Sequence, residues 1–177
     1  SPHADAIGVT QRKSGANVER YALDAEAEWR AVRLRANDFG GYDFIATLHG
    51  AELGPISLRV PGRHNVSNAL GALAMAMRAG VDFNRAANAA SGFAGVDRRF
   101  QIVTEVLGIT LLDDYAVHPT EVRTTLSAAR HRFPGRRLLA CFQPHTFSRA
   151  SYLLEGFRDC FQGLDSLYVL RTYAARE

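Results

Sequence analysis

Hydrophobic positions change period twice along this chain. Between about residues 17 and 60 they alternate. Trp29, Val32 and Leu34 form a loose run; Tyr42, Phe44, Ala46 and Leu48 interleave with Asp43, Ile45, Thr47 and His49; Ile56, Leu58 and Val60 follow. Period two marks strands with one buried face. The turn-forming Asn37-Asp-Phe-Gly-Gly41 and His49-Gly50 between the runs predict an antiparallel meander. From Asn65 to Ala79 the period lengthens, with Val66, Leu70, Leu73 and Met77 on one helical stripe. Gly80 ends that helix, and a shorter one is expected over roughly 84 to 90. Ser91-Gly-Phe-Ala-Gly-Val96 reads as a connector between domains.

From Phe100 the pattern becomes strand, strand, helix, strand, helix, strand, over about 100–106, 109–114, 119–131, 137–143, 148–162 and 166–170. Pro134-Gly135 and Gln162-Gly163 punctuate it. This alternation predicts βαβ units on a parallel sheet, so the fold class is α/β. One junction stands out. Leu111-Leu-Asp-Asp-Tyr-Ala-Val-His-Pro-Thr-Glu121 is a hydrophobic strand ending in two carboxylates, a Tyr and a His, with a helix opening at Pro119. Open α/β sheets place ligands at such strand ends. The plainer alternative is that Asp113 and Asp114 cap the helix or solvate a loop.

Composition narrows the picture. A chain of 177 residues holds one ordinary domain or two small ones, and 47% hydrophobic with 22% charged residues is a globular balance. Lys13 is the sole lysine among 21 basic residues. Arginine suits bidentate contacts to phosphate or carboxylate, although a genome-wide bias gives the same usage. A pI near 9.1 permits a nucleic-acid partner. No basic run interleaved with aromatics marks one, so none is expected. Cys141 and Cys160 sit in apolar settings without metal or redox spacing, which predicts reduced, buried thiols and a cytoplasmic protein. No apolar signal core or bilayer-length segment occurs, so no membrane partner is expected. Ser1 is not an initiating Met, and Arg171–Glu177 trails from a strand-like segment; a piece of a longer polypeptide is expected.

Three further clusters carry candidate chemistry. In Pro61-Gly-Arg-His-Asn-Val-Ser-Asn68, His64 and Asn68 share a helix face and Asn65 lies near its amino end. Such amides can read an adenine edge; otherwise Asn65 is a helix cap and His64 faces solvent. In Gly95-Val-Asp-Arg-Arg-Phe-Gln101, an Arg at a domain junction can neutralise a transferring phosphoryl group, or the pair is merely exposed. Cys141-Phe-Gln-Pro-His-Thr-Phe-Ser-Arg149 again joins a strand end to a helix. It is expected on the same edge of the same sheet as Asp114. That would gather Tyr115, His118, His145 and Arg149 to bind a carboxylate and hold an amine nucleophile. A metal-dependent hydrolase using Asp113, Asp114, His118 and His145 is a competing reading.

Together, Gly62–Asn68, Gly95–Phe100, Asp113–Glu121 and Phe142–Arg149 resemble the Mur ligases of peptidoglycan synthesis, in the family's order and through nearly the whole chain. The resemblance implies that residues 1–97 end a central ATPase domain. It implies that residues 98–177 begin a Rossmann-like carboxyl-terminal ligase domain, here half of it. It implies ATP and Mg2+ as cofactors, and UDP-N-acetylmuramate and L-alanine as partners. The muramoyl carboxylate becomes an acyl phosphate, which the amine attacks. By the same resemblance His64, Asn65 and Asn68 match adenine-side contacts, Arg99 the arginine that approaches the ATP phosphates, and Asp114 a ribose contact. Tyr115, His118, His145 and Arg149 match the region holding the amino acid and the muramoyl carboxylate. Two positions depart: Val117 stands where many members have a second His, and Thr146 where some have Arg. The family's Gly-Lys-Thr phosphate loop and its magnesium-organising residues do not occur in these 177 residues. The chain alone is therefore expected to be inactive. A sister ligase that joins a tripeptide to the same sugar nucleotide, or a non-catalytic nucleotide-binding module, are the alternatives.

Overall fold

The computed structural model describes residues 18–176. The meander forms as the alternation predicts. Strands β2 (Trp29–Ala36), β3 (Tyr42–Leu48) and β4 (Ala51–Leu58) pair antiparallel in chain order, and a two-residue β1 (Tyr21–Ala22) adds parallel to β2. The turn between β2 and β3 closes on Asn37, whose side-chain oxygen accepts from the Phe39 and Gly41 amides at 3.2 and 3.0 Å. Between β3 and β4, His49 and Gly50 both take positive φ, the conformation a two-residue hairpin turn needs to match strand twist.

Helices α1 (Arg63–Arg78) and α2 (Phe83–Gly92) cover one face of this sheet. The stripe of α1 points inward: Val66, Leu70 and Leu73 are essentially inaccessible and join Trp29, Phe44, Ile56 and Leu58 in one core. Each fully buried side chain of that size contributes about 1.5–3 kcal/mol. The α2 amino end is capped by Asp82, whose carboxylate accepts from the Asn84 and Arg85 amides. Asn65 is not the α1 cap: Gly62 holds that position with φ 95°. Asn65 lies inside the first turn, where its amide donates to the Pro61 carbonyl at 2.7 Å.

Beyond the connector the elements follow the expected order with three differences. The strands β5 (Gln101–Val106) and β6 (Ile109–Asp113) form an antiparallel hairpin, while β7 (Leu139–Phe142) pairs in parallel with β8 (Ser166–Val169). No ladder joins β6 to β7 among the described residues. Alternation reveals that a segment is a strand, but not which neighbour it pairs with. The helix expected over 148–162 divides into α4 (Phe147–Tyr152) and α5 (Leu154–Asp159), because Leu153 leaves helical geometry. The third difference is Cys141. It is exposed, since β7 alternates and turns Leu139 and Cys141 to the face opposite Ala140 and Phe142; Cys160 is buried as expected.

The remaining helix, α3 (Pro119–Arg132), follows β6 and lies against both parts of the chain. Its buried residues are Pro119, Val122, Ala128 and Ala129. At its carboxyl end His131 stacks on Tyr42, with ring centroids 5.5 Å apart and planes 11° off parallel. Arg132 passes so close to Gly40 that any Cβ there would overlap its side chain. No described helix is long and apolar enough to cross a membrane.

Candidate functional site

Sequence dictates how the loop ahead of β5 is built. Arg98 and Phe100 adopt positive φ, 58° and 50°, a conformation that costs a non-glycine residue strain and persists only when neighbours fix it. Here they do. The Arg98 amide donates to the Gln101 side-chain oxygen at 2.8 Å, and the Arg98 carbonyl accepts from the Tyr115 amide at 2.7 Å. Asp114 is the second tie: its two oxygens accept from the Phe100 and Ala116 amides, each at 2.8 Å. The Asp-Asp pair therefore does not cap α3. That cap is His118, whose Nδ1 accepts from the Thr120 amide at 3.2 Å, while Glu121 reaches back to the Val117 and His118 amides at 3.0 and 3.1 Å.

These ties shape a cleft of about 450 Å³ between the carboxyl ends of β6 and β7. Asp113, Asp114, Tyr115 and Val117 line one side; Cys141, Gln143 and His145 the other. Strands in separate sheets thus open onto one cleft, where ligands of α/β proteins gather. Two of its members carried no assigned role at the sequence level, although Arg98 lay within the candidate Arg pair. Arg98 holds Asp113 at 3.3 Å and lies over the Tyr115 ring, 4.7 Å from its centroid. Tyr173 packs on His145 with centroids 5.3 Å apart, and its amide donates to the Pro144 carbonyl at 2.9 Å. Nothing local marks Tyr173, which reaches the cleft because the chain after β8 continues alongside Pro144 and His145.

The other expected residues divide. Arg149 lies on the exposed face of α4, donating to the His145 carbonyl at 3.0 Å. Arg99 does not line the cleft and lies 3.9 Å from Glu121. His118 is occupied as the α3 cap. His64, Asn65 and Asn68 are on α1, where Asn68 donates to the Asn65 side-chain oxygen at 3.3 Å. Asn65 and Asn68 stand at one end of an apolar groove of about 480 Å³ between α1 and α2, lined by Ala69, Ala72, Ala89 and Phe93 among others. The His64 ring lies where a Cβ on Gly62 would be, so only glycine fits there. Desolvation pushes the His64 imidazole below its ordinary value, though part of the side chain reaches solvent, and the charge of Asp114 opposes the shift. The α1 amino end thus lies within electrostatic reach of the Asp114 loop. Among the described residues no three His, Cys, Asp or Glu side chains converge as a metal site.

Comparison with known proteins agrees with this architecture. The Mur ligase middle domain matches residues 2–76, and the Mur ligase glutamate ligase domain matches residues 98–177. The chain belongs to the Mur ligase family. It is 43% identical over 157 residues to the UDP-N-acetylmuramate–L-alanine ligase of Geobacter sulfurreducens, covering 89% of this chain and 34% of that protein. It is 41% identical over 177 residues to the enzyme of the same name from Salinibacter ruber, covering 99% and 36%. Among solved structures, the UDP-N-acetylmuramate-alanine ligase of Thermotoga maritima superposes with a TM-score of 0.74 at 27% identity, over 88% of this chain and 34% of that one. A murein peptide ligase from Psychrobacter arcticus gives 0.61 at 25%, over 94% and 41%. The chain spans about a third of the length of the curated relatives it matches.

Proposed function

We propose that this chain is part of an ATP-dependent amide-bond ligase that adds L-alanine to UDP-N-acetylmuramate in the cytoplasm. The observation that carries the reading is the cleft itself: carboxylate, guanidinium, imidazole and phenol groups meet at the ends of two strands, beside a loop held by Asp114. The similarity to enzymes named for that substrate pair supports it. In this reading residues 1–97 end the central ATPase domain and residues 98–177 begin the ligase domain.

The chain's own residues fit a nucleotide. A flat purine suits the apolar groove, with Asn65 and Asn68 available at its end to read the base edge. His64 lies beside them, and Asp114 keeps lone pairs for a ribose hydroxyl beyond those given to Phe100 and Ala116. ATP supplies the phosphoryl group that activates the muramoyl carboxylate. Mg2+ is assigned to residues elsewhere in the full ligase. Arg99 offsets phosphoryl charge once freed from Glu121. Tyr115 and His145 wall the cleft where the amine approaches, His118 fixes the start of α3, and Arg149 offers its fork to a carboxylate.

The test is turnover by the full-length protein. ADP release with UDP-N-acetylmuramate is expected with L-alanine and not with a murein tripeptide. Release with the tripeptide alone would overturn the assignment in favour of the sister ligase.

A further inference from the structure

Two adjacent arginines open the ligase half of the chain, and the structure gives them different partners. Arg99 points to Glu121 on α3. Arg98 enters the cleft, and it is the only guanidinium among the described residues that line it. Three observations mark its placement as built. Its backbone is strained, at φ 58°, and held from both sides by Gln101 and Tyr115. Its guanidinium is stacked on the Tyr115 ring, a contact that orients a planar cation without using its N–H donors. Asp113 approaches it at Nε, 3.3 Å away, and among the described residues its terminal fork donates no hydrogen bond.

We propose that Arg98 is a ligand-binding residue whose fork receives an anionic oxygen group, carboxylate or phosphoryl, with Asp113 as the counter-ion that holds it between turnovers. This rests on the ligase reading above and adds a residue to it. A stacked, half-neutralised guanidinium is ready for bidentate capture of such a group. Asp113 competes with the ligand for the same cation, so removing each partner has opposite consequences. A pair that merely stabilised the loop would respond alike to either loss.

The experiment uses full-length protein for kinetics and this chain for NMR. Wild-type turnover with L-alanine comes first; its absence would overturn the ligase reading itself. With turnover present, Arg98→Ala is expected to raise the KM for one anionic substrate roughly tenfold. The substrate affected identifies the group: UDP-N-acetylmuramate or L-alanine for a carboxylate, ATP for a phosphoryl. Arg98→Lys keeps charge but loses the fork, and recovers only part of the loss. Asp113→Asn is expected to lower that same KM, and an increase would overturn the competition. In the chain alone, the Arg98 Nε–Hε resonance moves on titration with UDP-N-acetylmuramate, L-alanine or ADP. The inference is overturned if Arg98→Ala and Asp113→Asn lower the melting temperature equally with every KM within twofold. It is also overturned if no titrant shifts the Arg98 resonance.

Discussion

Both oxygens of Asp114 are taken by backbone amides, one before β5 and one before α3. Its substitution therefore has two consequences that separate. Asp114→Ala leaves two part-buried N–H groups unpaired and is expected to cost about 1–3 kcal/mol, read as a lower melting temperature of this chain. In the full ligase it is also expected to raise the KM for ATP; unchanged ATP kinetics would remove the ribose role. Glu28 shows a purely structural carboxylate. Hydrogen bonds from the Arg20 side chain and amide lower it to about 2 from the usual 4.5. The sign follows from linkage: stability from Glu28 is complete above pH 4.5 and is lost as pH falls toward 2. Glu28→Gln should cost about 1 kcal/mol at pH 7 and flatten the acid limb of a melting-temperature profile; an unaltered limb would place the acid sensitivity elsewhere. The place of Asp114 at a strand end was legible in the sequence. Its partner was not, because Phe100 is 14 residues away and only a positive φ aims its amide there.

Elements whose turns carry the right dipeptide were the easiest to read. His49-Gly50 and the Pro134-Gly135 break need particular backbone angles, and those residue types announce them. The β5–β6 hairpin tip is different. Leu107 and Gly108 both have positive φ, and Leu107 is 94% exposed, so an apolar side chain occupies a position that favours Asn. Leu107→Asn is expected to stabilise the chain by about 0.5–1 kcal/mol, seen as a higher denaturation midpoint; a lower one would show that the leucine is held by something the hairpin requires. The α3 start was legible from Pro119 and Glu121, yet the cap fell to His118 rather than either aspartate. His118→Ala should cost about 1 kcal/mol, and His118→Ser should recover most of it. The break at Leu153 had no sequence signal, since no Gly or Pro stands there. Strand pairing was equally hidden: β6 and β7 read alike from their pattern, and their partners lie on opposite sides of α3 in the chain.

The two halves of the molecule differ in how well they bury themselves. The meander and its two helices enclose a continuous core, whereas among the described residues beyond the connector the buried apolar side chains are Pro119, Val122, Ala128, Ala129 and Cys160. Val103, Val106, Ile109, Leu111, Tyr168 and Val169 remain more than half exposed there. Exposed apolar surface of this extent promotes association. Sedimentation of this chain is expected to depend on concentration, and charged substitutions at Val103 and Tyr168 should reduce that dependence; a monomer at all concentrations would contradict it. Across this uneven molecule runs α3. Its 14 residues make a rod about 21 Å long. One end is set by His118 beside the Tyr115 loop, and the other is wedged by the His131–Tyr42 stack and the Gly40–Arg132 fit. A rod held at both ends works as a spacer: it spans from the meander turn at Tyr42 to the loop that lines the cleft, so one helix measures out the distance between them.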